Sequence, residues 1–479
     1  MTRLLCIGGS DAGISAALRA RELDPSVEVT VMLADAYPNF SICGIPYYIS
    51  GDVADWHDLA HRSRADIEAL GIDLLIDTTA RRIDVDDHQV TATDASEVEH
   101  TIGYDRLVVA TGALPARPPI SGLDRLGPVE GVHVLHTMGD THAVMATLDR
   151  RQPERAVIVG AGYIGLEMAE ALRTRGIAVT VVEALPQVLP SVDAPLGDLV
   201  AAELAAHGVE VRTATVVTAI SSEANRLTVH AAPTGGAGED GAAPVELDSD
   251  VVFVVTGVTP DTTLAQGAGA PVTPKGAIRV DRRMYSGVPD VFAAGDCVAT
   301  HHVLLGQTYL PLGTTAHKQG RIAGENALGG DRAFQGSVGT QVVKVFDLVA
   351  ARTGIRDHEA APAGYRPHTV ASTADDHKAY YPGATTVHVR TTGDLTTGRL
   401  LGVQMVGTIP SAVHKRIDTA ATAIYAGLGV DQLSDLDLSY TPPLGSPWDV
   451  LQAAAQRWSA VATPVGGDHH GSAARSRQG

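Results

Sequence analysis

Among the side chains able to do covalent chemistry, Cys43 has the most telling neighbours: Asn39-Phe40-Ser41-Ile42-Cys43-Gly44-Ile45-Pro46-Tyr47-Tyr48. Gly44 and Pro46 keep the chain tight around the thiol, and a helix or turn is expected to start there. A helix N-terminus favours thiolate, the form that attacks disulfides, so a lowered thiol pKa is expected at Cys43. Cys6 falls inside an apolar strand and fits an inert, buried thiol, the common fate of a free cysteine. Cys297 fits the same description, although it must lie near any ligand that the preceding Asp296 touches. One reactive cysteine has no partner in its own chain, so its oxidised form is a mixed disulfide or a sulfenic acid. The three cysteines are too few for a disulfide framework and their spacing fits no zinc site. The histidines are scattered along the chain without ligand spacing, and no metal is expected.

The elements that must position Cys43 are two units of one design. In the first, an apolar strand at Leu4–Ile7 feeds the turn Gly8-Gly9-Ser10-Asp11-Ala12-Gly13. A helix over 14–23 and an alternating strand over Val27–Leu33 follow. In the second, Ala156–Val159 feeds Gly160-Ala161-Gly162-Tyr163-Ile164-Gly165, a helix runs to about Arg175, and the strand Ala178–Val182 ends at Glu183. The second turn matches G-x-G-x-x-G: one glycine for the tight turn, one for pyrophosphate approach, one for helix–strand packing. Tyr163 and Ile164 complete that cofactor turn, and Glu183 stands where a carboxylate accepts hydrogen bonds from a ribose 2′-hydroxyl. That favours NADH over NADPH. The first turn is less regular. Ser10 replaces the second glycine, and Leu33 stands where the ribose acid belongs, with Asp35 two residues on. Three further strand ends offer cofactor contacts: Thr111-Gly112 after Leu107–Ala110, Gly257 after Val251–Val255, and Gly295-Asp296 after Val291–Ala294. An Asp beside Gly at a strand end is also a common turn feature, so none of these decides alone.

Composition bounds the rest. At roughly 100–200 residues per domain, 479 residues make about two to four domains. A net charge of −19 argues against nucleic acid, whose phosphates demand basic stripes. It leaves room for nucleotides, which helix N-termini hold without basic side chains. No apolar run reaches membrane-spanning length. The strand after Met1-Thr2-Arg3 feeds a glycine turn, so no secretory signal is expected, and a reducing cytoplasm is the expected setting. Residues 231–246 read as a polar loop. The alternation of glycine turns and helices stops near 335, and strands at Val342–Phe346 and Thr386–Val389 suggest an α+β region. A Gly/His/Ser/Arg-rich tail from Thr463 is expected to be disordered. The expected architecture is α/β: two Rossmann-like dinucleotide-binding domains, the first discontinuous (1–115 and 250–330) and the second over 116–249, then a C-terminal α+β domain (331–462) and the tail (463–479).

The order of these features resembles the pyridine nucleotide-disulfide oxidoreductases, within them the single-cysteine branch of CoA-disulfide reductases, NADH oxidases, NADH peroxidases and persulfide reductases. The resemblance covers residues 3 to about 460. Late segments, Tyr380-Tyr381-Pro382-Gly383, Lys415-Arg416-Ile417-Asp418 and Tyr440-Thr441-Pro442-Pro443, point most nearly to CoA-disulfide reductases. The resemblance implies FAD in the first, discontinuous domain, NAD(P) in the second and a dimerisation role for the C-terminal domain. It implies an obligate homodimer with composite sites, Tyr380 and Tyr440 reaching the cysteine of the other subunit, and Glu167 near the flavin. It also implies substrate contacts at Ser15, Arg19, Asn39, Ile42 and His301. A phenol can donate to a thiolate and protonate a leaving thiol.

Departures from the pattern matter. The histidine of oxidases and peroxidases in the first turn is Asp11 here, which counts against peroxidase chemistry. The arginine pair of the first helix reads Arg21-Glu22, the lysine expected near residue 70 is Leu70, and the asparagine before the cysteine is Ile42. Disulfide chemistry is kept while the means of holding CoA phosphates is reduced. The expected activity is FAD-dependent NAD(P)H reduction of a small disulfide or persulfide through Cys43. The alternatives are an NADH oxidase or quinone reductase, and a non-catalytic flavoprotein that senses NADH or transfers electrons, in which Cys43, Tyr380 and Tyr440 would be unneeded.

Overall fold

A computed structural model describes residues 1–224, 226–234 and 244–462. The chain divides into two compact units. The first holds Met1–Gly339 and Val343–Leu348. The second holds Thr340–Val342 and, among the described residues, 349–462. Among the described residues, no helix is long and apolar enough to cross a membrane.

The first unit contains two five-stranded parallel sheets. One runs in the order Val291–Ala293, Arg106–Val109, Arg3–Ile7, Glu28–Met32, Ile72–Leu75. The other runs Val209–Arg212, Ala178–Val182, Arg155–Val159, Val251–Val254, Val132–His133. Near-continuous Val, Leu and Ile in the inner strands reflects burial on both faces, as parallel sheets require. In each sheet the central strand ends at the strand-order reversal, where open α/β sheets bind ligands. The strand Val251–Val254 pairs with Arg155–Val159, so the second sheet extends past the expected boundary at 249/250. Apolar run length could not reveal which sheet that strand joins. The expected loop at 231–246 is shorter, because Arg226–Pro233 and Val245–Ser249 pair as antiparallel strands. Its middle, 235–243, and the expected disordered tail, 463–479, lie outside the described residues.

The helix Asp11–Leu23 packs against the helix Gly313–Ala327 through bare backbone. A Cβ at Gly320 would stand 2.2 Å from the Ala12 carbonyl oxygen, and one at Gly324 2.2 Å from that of Ala16. These glycines are four residues apart, one turn, so both face the same neighbour. The contact brings the start of the second helix onto the first glycine turn.

The second unit begins at Thr340, later than the expected 331. Its strands pair in the order 349–354, Leu400–Thr408, Thr386–Asp394, Pro367–Asp375. The strand expected at Thr386–Val389 runs on to Asp394: polar Thr391, Thr392 and Asp394 are buried there and pair continuously with Pro367–Asp375, while the register with Leu400–Thr408 shifts at Thr392/Gly393. Helices Val413–Tyr425 and Val450–Ala462 cover it, with Trp458 over Gly393.

Gly320→Ala is expected to destabilise the protein by roughly 1–3 kcal/mol through overpacking. Gly267→Ala, where a Cβ meets nothing within 4 Å, serves as the control. Equal denaturation midpoints for the two variants would refute the backbone contact.

Candidate active site

The two glycine turns share one geometry. Gly8 N–H donates to Met32 O and Gly160 N–H to Val182 O, each at 2.8 Å. Gly8 (φ +119°) and Gly160 (φ +111°) occupy backbone conformations that side chains resist. A Cβ at Gly13 would lie 1.9 Å from Gly8 O, and one at Gly165 2.0 Å from Gly160 O. Gly162 caps the helix Tyr163–Thr174 with nothing within 4 Å of a Cβ, the open approach a pyrophosphate requires. Tyr163 and Ile164 open that helix, the Tyr163 hydroxyl accepting from Ser191 at 3.0 Å. Gly112 and Gly257, both at positive φ, are likewise open.

The turns differ in what lies beneath them. Glu183 is buried, and its carboxylate accepts from Ala161 N–H at 2.7 Å and from Leu185 N–H at 2.9 Å. Register places Leu33 at the matching point of the first sheet, where it fills the space under Gly9. Asp35 accepts from Tyr37 N–H at 3.0 Å, and burial pushes its carboxyl up. Asn39, expected as a substrate contact, adopts φ +59° and donates its backbone N–H to Gly9 O at 2.7 Å. It is 2% exposed, and its Oδ1 has no hydrogen-bond partner among the described residues. A buried acceptor left open beside an exposed Ser10 at a phosphate-binding turn fits a nucleotide held there. Opposite it, Gly295 N–H donates to Gln319 Oε1 at 3.0 Å and Gln319 Nε2 to Thr300 Oγ1 at 3.2 Å. Thr111 Oγ1 donates to Asp261 O at 2.6 Å. Asp296 is held up at about 6, chiefly by burial and then by the charge of Asp11. The residues present fit two dinucleotides.

Cys43 lies in a short 3-10 turn, Ile42–Gly44, leading into the helix Ile45–Ser50. Ser41 N–H donates to Leu59 O at 2.8 Å, pinning the segment to the neighbouring 3-10 turn Trp56–Leu59. Cys43 is exposed, whereas Cys6 and Cys297 are fully buried. Cys297 Sγ contacts the Ala294 and Val109 carbonyls. The expected lowering of the Cys43 pKa is corrected: its thiol is pushed up. Surrounding protein is the largest cause, followed by the charges of Glu167, Asp11 and Asp296. A six-residue helix led by a 3-10 turn offers too little dipole to offset three carboxylates. Glu167 itself is raised to about 7 by burial, and Tyr47 OH donates to it at 3.3 Å.

The other expected residues have varied placements. Tyr380 and Tyr440 belong to the second unit, both exposed, and their hydroxyls are hydrogen-bonded, which pushes the Tyr380 phenol up. Arg19 is closed on Glu325 at 2.8 Å and Glu22 at 3.1 Å. Arg21 is spent on the Leu70, Pro25 and Val27 carbonyls. Ile42 is exposed beside Cys43, and His301 is half-buried, its pKa lowered by burial and Arg282. Ser15 is buried with its Oγ 3.0 Å from His317 Nδ1. Here the structure corrects the view of scattered histidines: Asp11, His61 and His317 converge from three segments. No spacing could have shown this. Gln319 and His317 were missed as well, though Gly313, Gly320 and Gly324 on one helix signal a close backbone approach.

Comparison with known proteins adds independent findings. Residues 2–320 match the pyridine nucleotide-disulphide oxidoreductase model, and residues 340–450 match that family's dimerisation domain. The chain is 34% identical to the CoA-dependent NAD(P)H sulfur oxidoreductase of Pyrococcus furiosus, over 95% of this chain and 98% of that one. It is 31% identical to an NADH oxidase of Methanocaldococcus jannaschii, over 95% and 98%. Among solved structures, a NAD-dependent persulfide reductase from A. fulgidus superimposes with TM-score 0.88 at 37% identity, over 95% of this chain and 82% of that one.

Glu167→Gln is expected to move the pH midpoint of Cys43 alkylation by iodoacetamide to lower pH. The gain in rate should be present above about pH 7, where Glu167 is ionised, and should vanish below it. Identical profiles would show that Glu167 does not act on the thiol.

Proposed function

The chain belongs to the pyridine nucleotide-disulphide oxidoreductase family, and from that premise we propose that it reduces a small disulfide or persulfide at Cys43 with electrons from NADH. The observation that carries this reading is that Cys43 is the one exposed cysteine, in the same unit as both dinucleotide turns. FAD is held by Gly8, Gly9, Ser10, Gly13, Asp35, Asn39, Thr111, Gly112, Gly295 and Asp296. NADH is held by Gly160, Gly162, Tyr163, Ile164, Gly165, Glu183 and Gly257. Bound FAD supplies the two-electron passage between nicotinamide and sulfur that no side chain can perform.

The side chains do the rest. The Cys43 thiolate attacks one sulfur of the acceptor; a Cys43 S–S bond forms as the acceptor's breaks, and the departing thiolate takes a proton. Tyr380 and Tyr440, from the second subunit of a homodimer, supply that proton, and their mutual hydrogen bond supports a shared proton-donating role. Glu167, beside the thiol, adds its charge to the burial that pushes Cys43 up. With Cys6 and Cys297 buried, the oxidised form of Cys43 is a mixed disulfide or a sulfenic acid. Free thiols throughout suit a reducing compartment, the cytoplasm.

The acceptor is small and is not gripped by phosphate-binding arginines, since Arg19 and Arg21 are both engaged within the chain. Its contacts, as the family resemblance implies, include Ser15, Ile42 and His301. NADH is preferred over NADPH because a 2′-phosphate would meet the Glu183 carboxylate. A second reading, oxygen reduction, draws on the likeness to the M. jannaschii NADH oxidase.

Cys43→Ser is expected to retain FAD, take up one electron pair per subunit from NADH where the wild type takes two, and lose turnover with disulfides and persulfides. Sustained oxygen consumption by that variant, at the wild-type rate, would establish the oxidase instead. Glu183→Gln keeps an acceptor for Ala161 but removes the charge, and the NADH:NADPH ratio of kcat/KM should fall roughly tenfold, about 1.4 kcal/mol. An unchanged ratio would remove Glu183 from cofactor selection.

A further inference from the structure

Asp11, His61 and His317 are separated by 50 and 256 residues in sequence, yet each offers one ligand atom within 4.8 Å of the other two. Asp11 opens the helix Asp11–Leu23, and His317 sits one turn into the helix Gly313–Ala327. His61 lies two residues beyond the 3-10 turn Trp56–Leu59, and its backbone N–H donates to Asn39 O at 2.9 Å. We propose that these three side chains form a binding site for a borderline divalent transition metal, zinc being the representative ion, next to the Cys43 segment. The site does not depend on Cys43 acting as a reductase thiol.

Four observations carry it. The donor set is two imidazoles and one carboxylate, which suits zinc and its neighbours and not magnesium or calcium, which prefer oxygen alone. The separation is close to what an ion needs. Bonds of about 2.0–2.2 Å at a tetrahedral centre place donors about 3.4 Å apart. Asp11 Oδ1 and His317 Nε2 already stand at 3.3 Å. The exposed His61 has the freedom to close the remaining gap. The outer shell is also present: Ser15 Oγ lies 3.0 Å from His317 Nδ1, and Ser15 is buried, so the ring is oriented with Nε2 toward Asp11. Metal-bound histidines are oriented in this way through their second nitrogen. Finally, the frame is rigid without an ion. Gly320 and Gly324 lock the two helices at backbone distance, and a Cβ at Gly313 would stand 2.9 Å from Asp11 Oδ2. Three protein ligands leave a fourth position for water or a thiol, the pattern of an open site.

The competing explanation is a His–Asp ion pair with a bystander histidine. A second group, Glu203, His207 and Asp347, could also take up metal. The test is calorimetric titration of zinc chloride into metal-free, FAD-loaded protein. One ion per subunit is expected, with affinity at least tenfold weaker in His61→Ala and in His317→Ala, and about tenfold weaker in Ser15→Ala. Binding should persist in Cys43→Ser and His207→Ala. His61 is exposed, so its removal does not threaten folding; flavin content checks the other variants. Wild-type affinity in both His61→Ala and His317→Ala overturns the proposal, as does binding abolished by Cys43→Ser or by His207→Ala alone. So does the absence of any zinc binding.

Discussion

The last glycine of each dinucleotide turn lies against the carbonyl of the first, with no room for a side chain. That contact sets the angle at which a helix leaves the sheet. With Gly13 on Gly8 and Gly165 on Gly160, each helix starts at a strand end and aims its unpaired N–H groups at the space above the sheet. The rest of the site depends on that placement. The first helix, held there, presents Ala12 and Ala16 to Gly320 and Gly324, and the second helix carries Gln319 to Gly295 and His317 to Ser15 and Asp11.

One backbone design thus serves two nucleotides, and the side chains beneath it make the difference. In the second sheet, buried Glu183 accepts from two N–H donors. In the first, apolar Leu33 packs under Gly9, and polar contact passes to Asp35 and to Asn39, whose strained backbone and open Oδ1 lie at the same turn. Register makes the comparison direct, since Leu33 and Glu183 follow equivalent strand ends.

Cys43 sits among carboxylates. Burial in surrounding protein, and after it the charges of Glu167, Asp11 and Asp296, push the thiol pKa up, opposite to the usual activation by a helix or a neighbouring base. A thiol of raised pKa is intrinsically a stronger nucleophile once ionised and is less exposed to stray oxidation.

Local chemistry was legible in the residues themselves. The strand–turn–helix units, the cysteine beside glycine and proline and Glu183 at its strand end all arise from short-range rules of period, turn geometry and residue type; the Tyr380 and Tyr440 segments stood out only by resemblance to a family. Sequence also marked Leu33 and Asp11 as departures. Only the tertiary structure decided which sheet Val251–Val254 joins, that Arg19 is spent on Glu325, that Asn39 sits at the first turn, and that Cys43 sits among carboxylates. It alone gathered Asp11, His61 and His317. The physical reason is common to all of these. Each depends on which distant segments pack together, and burial, charge proximity and ligand geometry arise at that packing, where spacing along the chain carries no information.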